Sequence, residues 1–522
     1  MVVAEGMRRP GADFLQLDPA GAPARGLTGW LADAIRAAVI DGRLQPGVAL
    51  PASRLLAEDL GVSRGVVVEA YQRLAEEGLV SGRPGAGTRV LGVSAAGHVG
   101  AGAGLAPAME HEAGAGPVAG AGPVVGRGPV AGAGPMVGAG PVAGVPDGAG
   151  GLPGVLPQRW RTRTEIDLSP GVPDLSGFPR AAWLRAERAV LEQANVADLG
   201  YGDPRGSEWL RAELAGWLAR RRGLRADPGD IIIVTGVAQA LAVLAQWLAA
   251  RSLTPIGVED PGSRGSVREL AYWGLEPKPV AVDEHGLRAA DLAGTDLRAV
   301  LLTPAHQFPT GAVLAPRRRR ELLDWAARTD GLIIEDDYDA EFRYDRTPVP
   351  ALQGSAPDLV AYAGSTSKTL APGMRLGWLI PPRRMQADLI EAKHAADLGS
   401  PALPQLVLAR LIASGELEHH LRLVRKRQRI RRDALLGALR EHLPQAQVQG
   451  IAAGLHLLIL FGEQTRPDTA LAEEILRAGV LVHPLSWHRQ RPGPPGLVLG
   501  YAAHTPDQLA EAARRIARVV AG

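Results

Sequence analysis

Residues Gly364–Trp378 read GSTSKTLAPGMRLGW and follow directly on the apolar run Leu359–Ala363. A short apolar run of this kind reads as a buried strand, which places Lys368 just past a strand end. Ser365, Thr366 and Ser367 precede the lysine, and Arg375 follows seven residues later. Lysine is scarce in this chain: Lys278, Lys368, Lys393 and Lys426 are all there are among 57 Lys plus Arg. Where arginine serves almost everywhere else, a lysine points to a need for a primary amine. Guanidinium stays protonated, whereas a buried amine loses its proton and condenses with carbonyls. Lys393 and Lys426 fall in charged helical runs and read as solvated; Lys368 does not.

Hydroxyls and an arginine around a strand-end lysine suit an aldehyde cofactor that carries a phosphate, such as pyridoxal phosphate. A second apolar run, Leu332–Ile334, ends in Glu335-Asp336-Asp337-Tyr338. A carboxylate at a strand end can keep a pyridine nitrogen protonated, and a nearby phenol can hydrogen-bond a ring oxygen. Taken singly, acidic strand ends more often cap helices or meet solvent; together with Lys368 they favour the cofactor. Further runs at Ile231–Val234 and Ala299–Leu302 alternate with helices such as Glu208–Leu218, which carries Leu210, Leu214, Trp217 and Leu218 on one face. That alternation predicts an α/β domain with a mostly parallel sheet over 159–522. Beyond about Gln405 the chain is helical, then strand-like at His456–Phe461, then helical again, which suits a small α+β subdomain.

The N-terminal part differs. After a tail at 1–25, residues 26–93 read as three helices and a hairpin. Trp30, Leu31, Ile35, Val39 and Ile40 lie near helical spacing before Gly42 and Pro46. Leu55, Leu56 and Leu60 mark a short helix stopped by Gly61, and Ser63 is a fair N-cap for a third helix with Val67, Ala70, Tyr71 and Leu74 on one face, ending at Gly78. Two strands around Gly85-Ala86-Gly87 complete a winged helix-turn-helix. Its charge is nearly balanced, so placement nominates the contacts. Arg54 opens the short helix, Ser63-Arg64 the third, and Arg83 and Arg89 flank the hairpin tip, positions where helix N-termini and arginine forks grip phosphate. A solvated face of a small interaction domain is the equally simple alternative.

Between the two parts, residues 94–158 are almost free of charge and repeat Gly-Pro every six residues at Pro117, Pro123, Pro129, Pro135 and Pro141. They absorb much of the excess of 65 glycines and 42 prolines in 522 residues. A segment without large apolar side chains reads as a flexible linker, with ends on the order of 40 to 45 Å apart. The absence of cysteine excludes disulfides and cysteine-ligated zinc, and no metal site is expected. With no apolar leader and no uninterrupted apolar span, the chain is expected in the cytoplasm and not in a membrane.

The stretch LPASRLLAEDLGVSRGVVVEAYQRLAEEGLVSGRPGAGTRV resembles the DNA-binding domain of GntR-family bacterial regulators. The resemblance implies that Arg54, Ser63 and Arg64 contact a double-stranded operator and that Arg83 and Gly85 belong to the wing. Val66 stands where that family often has Thr. The later part resembles fold-type I aminotransferases through YGDPRG (201–206), VTGVAQAL (234–241), EDPGS (259–263), TPAHQFPTG (303–311), IIEDDYDAEFRY (333–344) and the Lys368 segment. Together they resemble the MocR branch of regulators. The match implies Lys368 as the residue that binds the aldehyde, Asp336 at the pyridinium nitrogen and Tyr338 at the phenolic oxygen. Ser365, Ser367, Arg375 and the backbone amides of Ala238 and Gln239 would hold the phosphate. Tyr201 would reach it from a second subunit, which implies a homodimer.

Three departures bear on function. Ser263 stands where relatives stack an aromatic ring on the cofactor, and Phe308 where aminotransferases commonly have Asn. Val498 stands where many place the arginine that grips a substrate carboxylate, and Arg489 or Arg491 are the candidates to replace it. The expected function is a transcriptional regulator whose body senses pyridoxal phosphate or an amine or amino acid, by family analogy in vitamin B6 or amino-compound metabolism. The alternatives are a working aminotransferase with a DNA-binding appendage, and a DNA-binding dimer that has lost the cofactor.

Overall fold

A computed structural model of the chain describes residues 26–40, 44, 47–77, 79–83, 87–91, 164–344, 349–450, 452–462 and 466–521. The expected tail (1–25) and linker (94–158) lie outside the described residues, as do Gly42, Pro46, Gly78 and Gly85.

In the head, helices Leu27–Ile40, Ser53–Leu60 and Arg64–Glu76 enclose Leu31, Ile35, Leu56, Val67, Ala70 and Leu74. Gly61 ends the short helix at φ +63°, a conformation that suits glycine. Ser63 occupies the N-cap position of the third helix but makes no side-chain cap bond, which corrects its expected capping role. Strands β1 (Ala49–Leu50), β2 (Val80–Arg83) and β3 (Gly87–Val90) form an antiparallel sheet in the order β1-β3-β2. Arg36 pairs with buried Glu77 at 2.6 Å and ties the first helix to the end of the third.

The body begins with β4 (Ile166–Asp167). Its main strands are β5 (Ile232–Val234), β6 (Pro255–Asp260), β7 (Glu276–Asp283), β8 (Gly286–Leu287), β9 (Ala299–Leu302), β10 (Leu332–Asp337), β11 (Val360–Ser365) and β12 (Gly377–Ile380). They form one sheet in the order β5-β12-β11-β10-β9-β6-β7-β8. The run β11-β10-β9-β6-β7 is parallel, and β12 lies antiparallel between β11 and β5. Both faces are covered. At β5, Ile231 and Ile233 enter one apolar cluster with Tyr362 and Trp378, while Ile232 and Val234 enter another with Leu241, Leu244 and Ile334. Continuous apolar runs are therefore needed where an exposed sheet would show alternation.

Strands β13 (Gln447–Gln449), β14 (His456–Leu460), β15 (Val480–Leu481), β16 (His483–Pro484) and β17 (Gly496–Gly500) complete the C-terminal subdomain. β13, β14, β17 and β16 form an antiparallel sheet, and β15 pairs with β4. Helices Glu416–His442 and Pro506–Ala521 cover it with Leu435, Leu439, Leu509 and Ile516. Among the described residues no helix is long and apolar enough to cross a membrane.

Candidate functional site

The parallel register of β10 and β11 sets Asp336 opposite Ala363 and Asp337 opposite Gly364. The two strand ends are thus neighbours, and the chain leaving β11 carries Lys368 to the same edge. Its Nζ donates to the carbonyl of Gly171 at 2.6 Å. Gly171 has φ +85°, and a Cβ there would stand 3.3 Å from Nζ, so glycine lets the amine approach the backbone. Burial lowers the lysine's pKa, and the charges of Asp339 and Asp336 only partly oppose it. The amine is thereby moved toward its uncharged, nucleophilic form.

Asp336 faces the same space. Burial raises its pKa to about 7, and the charges of Asp337 and Asp339 add to the effect. Its Oδ1 is shielded from solvent and has no hydrogen-bond partner. A buried acceptor without a donor costs stability, so a cationic N–H brought to this oxygen is favoured. With Glu259, Ser263, Thr303 and Phe308, Asp336 lines a small cavity. Glu259 is held there by the amide and hydroxyl of Thr303 at 3.0 and 2.7 Å, and burial raises its pKa to about 7.

Tyr338 keeps its hydroxyl 3.0 Å from His306 Nδ1. Burial and the charges of Asp339 and Asp336 push its pKa well up, so it stays a neutral phenol. His306 Nδ1 also lies 2.9 Å from Asp339 Oδ2. His306, Asp339 and His456 are the one buried group with metal-like spacing among the described residues. His456 Nε2 meets the Pro309 carbonyl at 3.2 Å and His306 Nδ1 is held by Asp339 and Tyr338, while His306 Nε2 has no partner.

A separate corner lies where a helix begins beside Arg375. The helix Val237–Ala249 starts after Gly236, at φ +100°, with no side-chain cap, and carries Ala238 and Gln239 in its first turn. The Arg375 guanidinium lies 3.4 Å from where a Gly236 Cβ would stand. An uncapped helix N-terminus beside an arginine is an anion site. Of the two expected amides, that of Gln239 donates to the Gly236 carbonyl at 3.1 Å. The Gln239 side chain accepts from the Thr235 amide at 2.8 Å and donates to Asp397 at 2.8 Å. Ser365 is buried and accepts from the Ser367 amide at 3.3 Å.

Other residues lie elsewhere. Tyr201 is 92% exposed and lines a cavity of about 600 Å³ with Trp209, Leu398 and Gln405. Val498 is fully buried with Leu458 and Leu485, and Phe308 packs against them. Neither proposed replacement arginine is free: Arg489 donates to the Pro494 carbonyl and Arg491 pairs with Asp260 at 3.0 Å. Ser263 has a structural task, since its hydroxyl accepts from the Ser266 amide at 3.2 Å and caps the helix Arg264–Tyr272. Lys393 corrects the expectation of a solvated side chain. It is fully buried and bonded to Asp397 at 2.9 Å.

In the head, Arg54, Ser63 and Arg64 are exposed at the starts of the second and third helices. Arg64 Nε lies 3.4 Å from Ser53 Oγ, which joins the two helix starts. Gly85 and the side chain of Arg83 lie outside the described residues. His306, Asp339 and Gly171 carry no role in the sequence reading, although the first two stand inside quoted motifs.

Residues 163–516 match the family "Aminotransferase class I and II", and residues 27–90 match "Bacterial regulatory proteins, gntR family". The chain is 32% identical to the HTH-type pyridoxine biosynthesis transcriptional regulator PdxR of Corynebacterium glutamicum, over 92% of each chain. It is 30% identical to the probable rhizopine catabolism regulatory protein MocR of Rhizobium meliloti, over 92% of this chain and 91% of that one. Among solved structures, Pyrococcus horikoshii kynurenine aminotransferase superimposes with a TM-score of 0.64 at 25% identity, covering 70% of this chain and 92% of that one.

Proposed function

Because the chain belongs to the MocR-type regulators, which join a GntR-family DNA-binding head to an aminotransferase class I and II domain, we propose that it is a regulator whose body binds pyridoxal phosphate through Lys368. The observation that carries this reading is the pairing of a buried lysine of lowered pKa with an acid whose Oδ1 lacks a donor. The residues fit the cofactor. When bound, pyridoxal phosphate supplies an aldehyde for amines and a ring that withdraws electrons. Lys368 would present an amine whose proton burial makes easier to lose, Asp336 would hold a proton at the ring nitrogen, and Tyr338 would offer a neutral hydroxyl to the phenolic oxygen. Arg375, Ser365, Ser367 and the Ala238 amide would receive the phosphate, joined by the Gln239 amide once it gives up the Gly236 carbonyl.

The body acts as a sensor of pyridoxal phosphate, or of an amine or amino acid that reaches it, and turnover is secondary. The support is that Val498 lies in an apolar cluster with Leu458 and Leu485, while Arg489 bonds the Pro494 carbonyl and Arg491 pairs with Asp260. A homodimer completes the site. Leu199 is exposed beside Tyr201 at the large cavity, and Val196, three residues before it, is exposed too; a second copy would cover them. The effector switches the protein only to the extent that it binds one arrangement of the dimer better than the other. Relatives named for pyridoxine biosynthesis and rhizopine catabolism make vitamin B6 and amino-compound genes the first targets to examine.

Mixing the purified protein with pyridoxal phosphate should produce an absorption band near about 420 nm that Lys368→Ala abolishes. A colourless wild type sinks the cofactor reading. On DNA, Arg64→Ala should weaken binding on all sequences and lower the salt slope by about 1. An unchanged slope removes Arg64 from the phosphate contacts.

A further inference from the structure

Phe308 stands where the aminotransferase resemblance would place an asparagine, and it offers Tyr338 only an edge-to-face contact with ring centroids 6.5 Å apart. The polar contact to Tyr338 comes from His306, two residues earlier, at 3.0 Å. His306 Nδ1 lies 2.9 Å from Asp339 Oδ2 and 3.2 Å from Oδ1, and both side chains are 1% exposed. A bare nitrogen lone pair this close to two carboxylate oxygens is repelled, so the proton sits on Nδ1 and points at Asp339. With Nδ1 a donor, the Tyr338 oxygen can only accept from it. The tyrosine's own hydrogen is then directed away from Nδ1, where the Asp339 carboxylate, also in hydrogen-bond reach, competes for it with a bound phenolic oxygen.

A half-turn of the ring would put Cδ2–H in place of Nδ1 beside Asp339 and Tyr338 and forfeit both contacts, so Nδ1 stays there. Its Nε2 is buried without a partner, and a Cβ at Gly454 would overlap the ring. Gly454, at φ +81°, and Gly311 thus form a slot that admits the imidazole in one plane. His456 packs on the other side, with centroids 5.1 Å apart, and burial pushes its pKa well down, so it adds no charge. The charged and titratable groups around Tyr338 are Asp339, Asp336, Glu259 and His306, with Lys368 across the site.

We propose that His306, anchored by Asp339, is a positioning residue that orients the Tyr338 hydroxyl as a donor toward the phenolic oxygen of the bound cofactor. The proposal rests on the cofactor reading above. A donor at the phenolic oxygen stabilises its negative charge and loosens its hold on the proton shared with the lysine nitrogen. The lysine-linked chromophore therefore loses its proton at lower pH than it would without that donor.

The test is a spectrophotometric pH titration of the full-length protein loaded with pyridoxal phosphate. Tyr338→Phe should move the midpoint upward, and His306→Leu should move it the same way by on the order of one unit. His306→Asn, which keeps an N–H at the Nδ1 position, should restore most of the wild-type midpoint. Added to Tyr338→Phe, His306→Leu should cause little further shift, because its effect passes through the hydroxyl. If the leucine variant does not fold, His306→Gln, which places its amide near Nε2 instead, should show the upward shift. A wild-type band whose midpoint stays fixed in the His306 variants overturns this proposal alone. Absence of any band in wild type overturns the cofactor reading and this proposal with it.

Discussion

On one side of β10, Asp337 accepts from Arg222 Nε at 2.6 Å and from the Tyr362 hydroxyl, with both ion-pair partners almost fully buried. Glu335, two residues earlier on the same side, accepts from the amides of Leu352 and Gln353 at 3.1 and 3.2 Å. Asp337 Oδ1 also lacks a donor, but Arg222 meets the charge at its other oxygen; on the other side, Asp336 has Oδ1 without a donor, no arginine bonded to it, and a pKa raised to about 7. Successive residues of a strand point to opposite faces, so three consecutive acids divide between two environments. One face neutralises its charge with a dedicated arginine and uses the result to hold the helix Glu208–Arg222 against the sheet. The other leaves an acid short of a donor, next to a lysine of lowered pKa. The acid that the chain neutralises with a buried arginine serves the fold; the one set beside Lys368 is, on the reading proposed above, left for a ligand.

The comparison predicts opposite signs for two nearly identical substitutions. Asp337→Asn leaves Arg222 buried without its counter-charge and should destabilise the protein by about 3 to 5 kcal/mol in urea or thermal unfolding. Asp336→Asn should stabilise the cofactor-free protein near neutral pH, by on the order of 2 to 4 kcal/mol, while weakening the binding of pyridoxal phosphate. If both substitutions destabilise alike, the division between the faces is wrong.

A pH series sharpens the same contrast. The folded-state pKa of Asp336, about 7, lies above the ordinary carboxyl value of 3.8. Below about pH 4 both folded and unfolded chains hold the proton, and Asp336 has no effect. Between about pH 4 and 7 the unfolded chain gives up the proton first, so stability falls as pH rises through that window. Glu259 and Glu335, also raised to about 7 by burial, steepen the fall in wild type. The difference between wild type and Asp336→Asn isolates one acid. It should be near zero at about pH 4 and grow toward neutrality. A difference independent of pH would mean that Asp336 is already ionised in the folded protein.

These two faces were unequally legible in the sequence. Lys368 stood out because lysine is rare and its neighbours are hydroxyls, which is local information. The division among the acids was not local. Apolar character stops at Ile334 and Ala363, yet β10 and β11 run on to Asp337 and Ser365, because backbone pairing from Asp336 to Ala363 and from Asp337 to Gly364 continues the ladder. Lys393 read as solvated from its charged helix, but that helix packs on Val237–Ala249, and Asp397 one turn later receives the buried ammonium. His306 and Asp339 are 33 residues apart, and only the parallel strands between them bring the two together.

The smallest expected effect tests whether a departure from the aminotransferase pattern lies on the ligand face or the structural one. Ser263 looks at first like a lost stacking ring, and it does line the cavity with Asp336. Its hydroxyl, however, accepts from the Ser266 amide at 3.2 Å and from the Ser266 hydroxyl at 2.9 Å, which satisfies the start of the helix Arg264–Tyr272. Ser263→Ala removes that cap and should cost about 1 kcal/mol of stability. Affinity for pyridoxal phosphate should stay within about twofold, because neither side chain supplies a ring for stacking. Calorimetric unfolding and cofactor titration of the same preparation separate the two effects. A large loss of affinity with unchanged stability would move Ser263 from the structural side of the comparison to the ligand side.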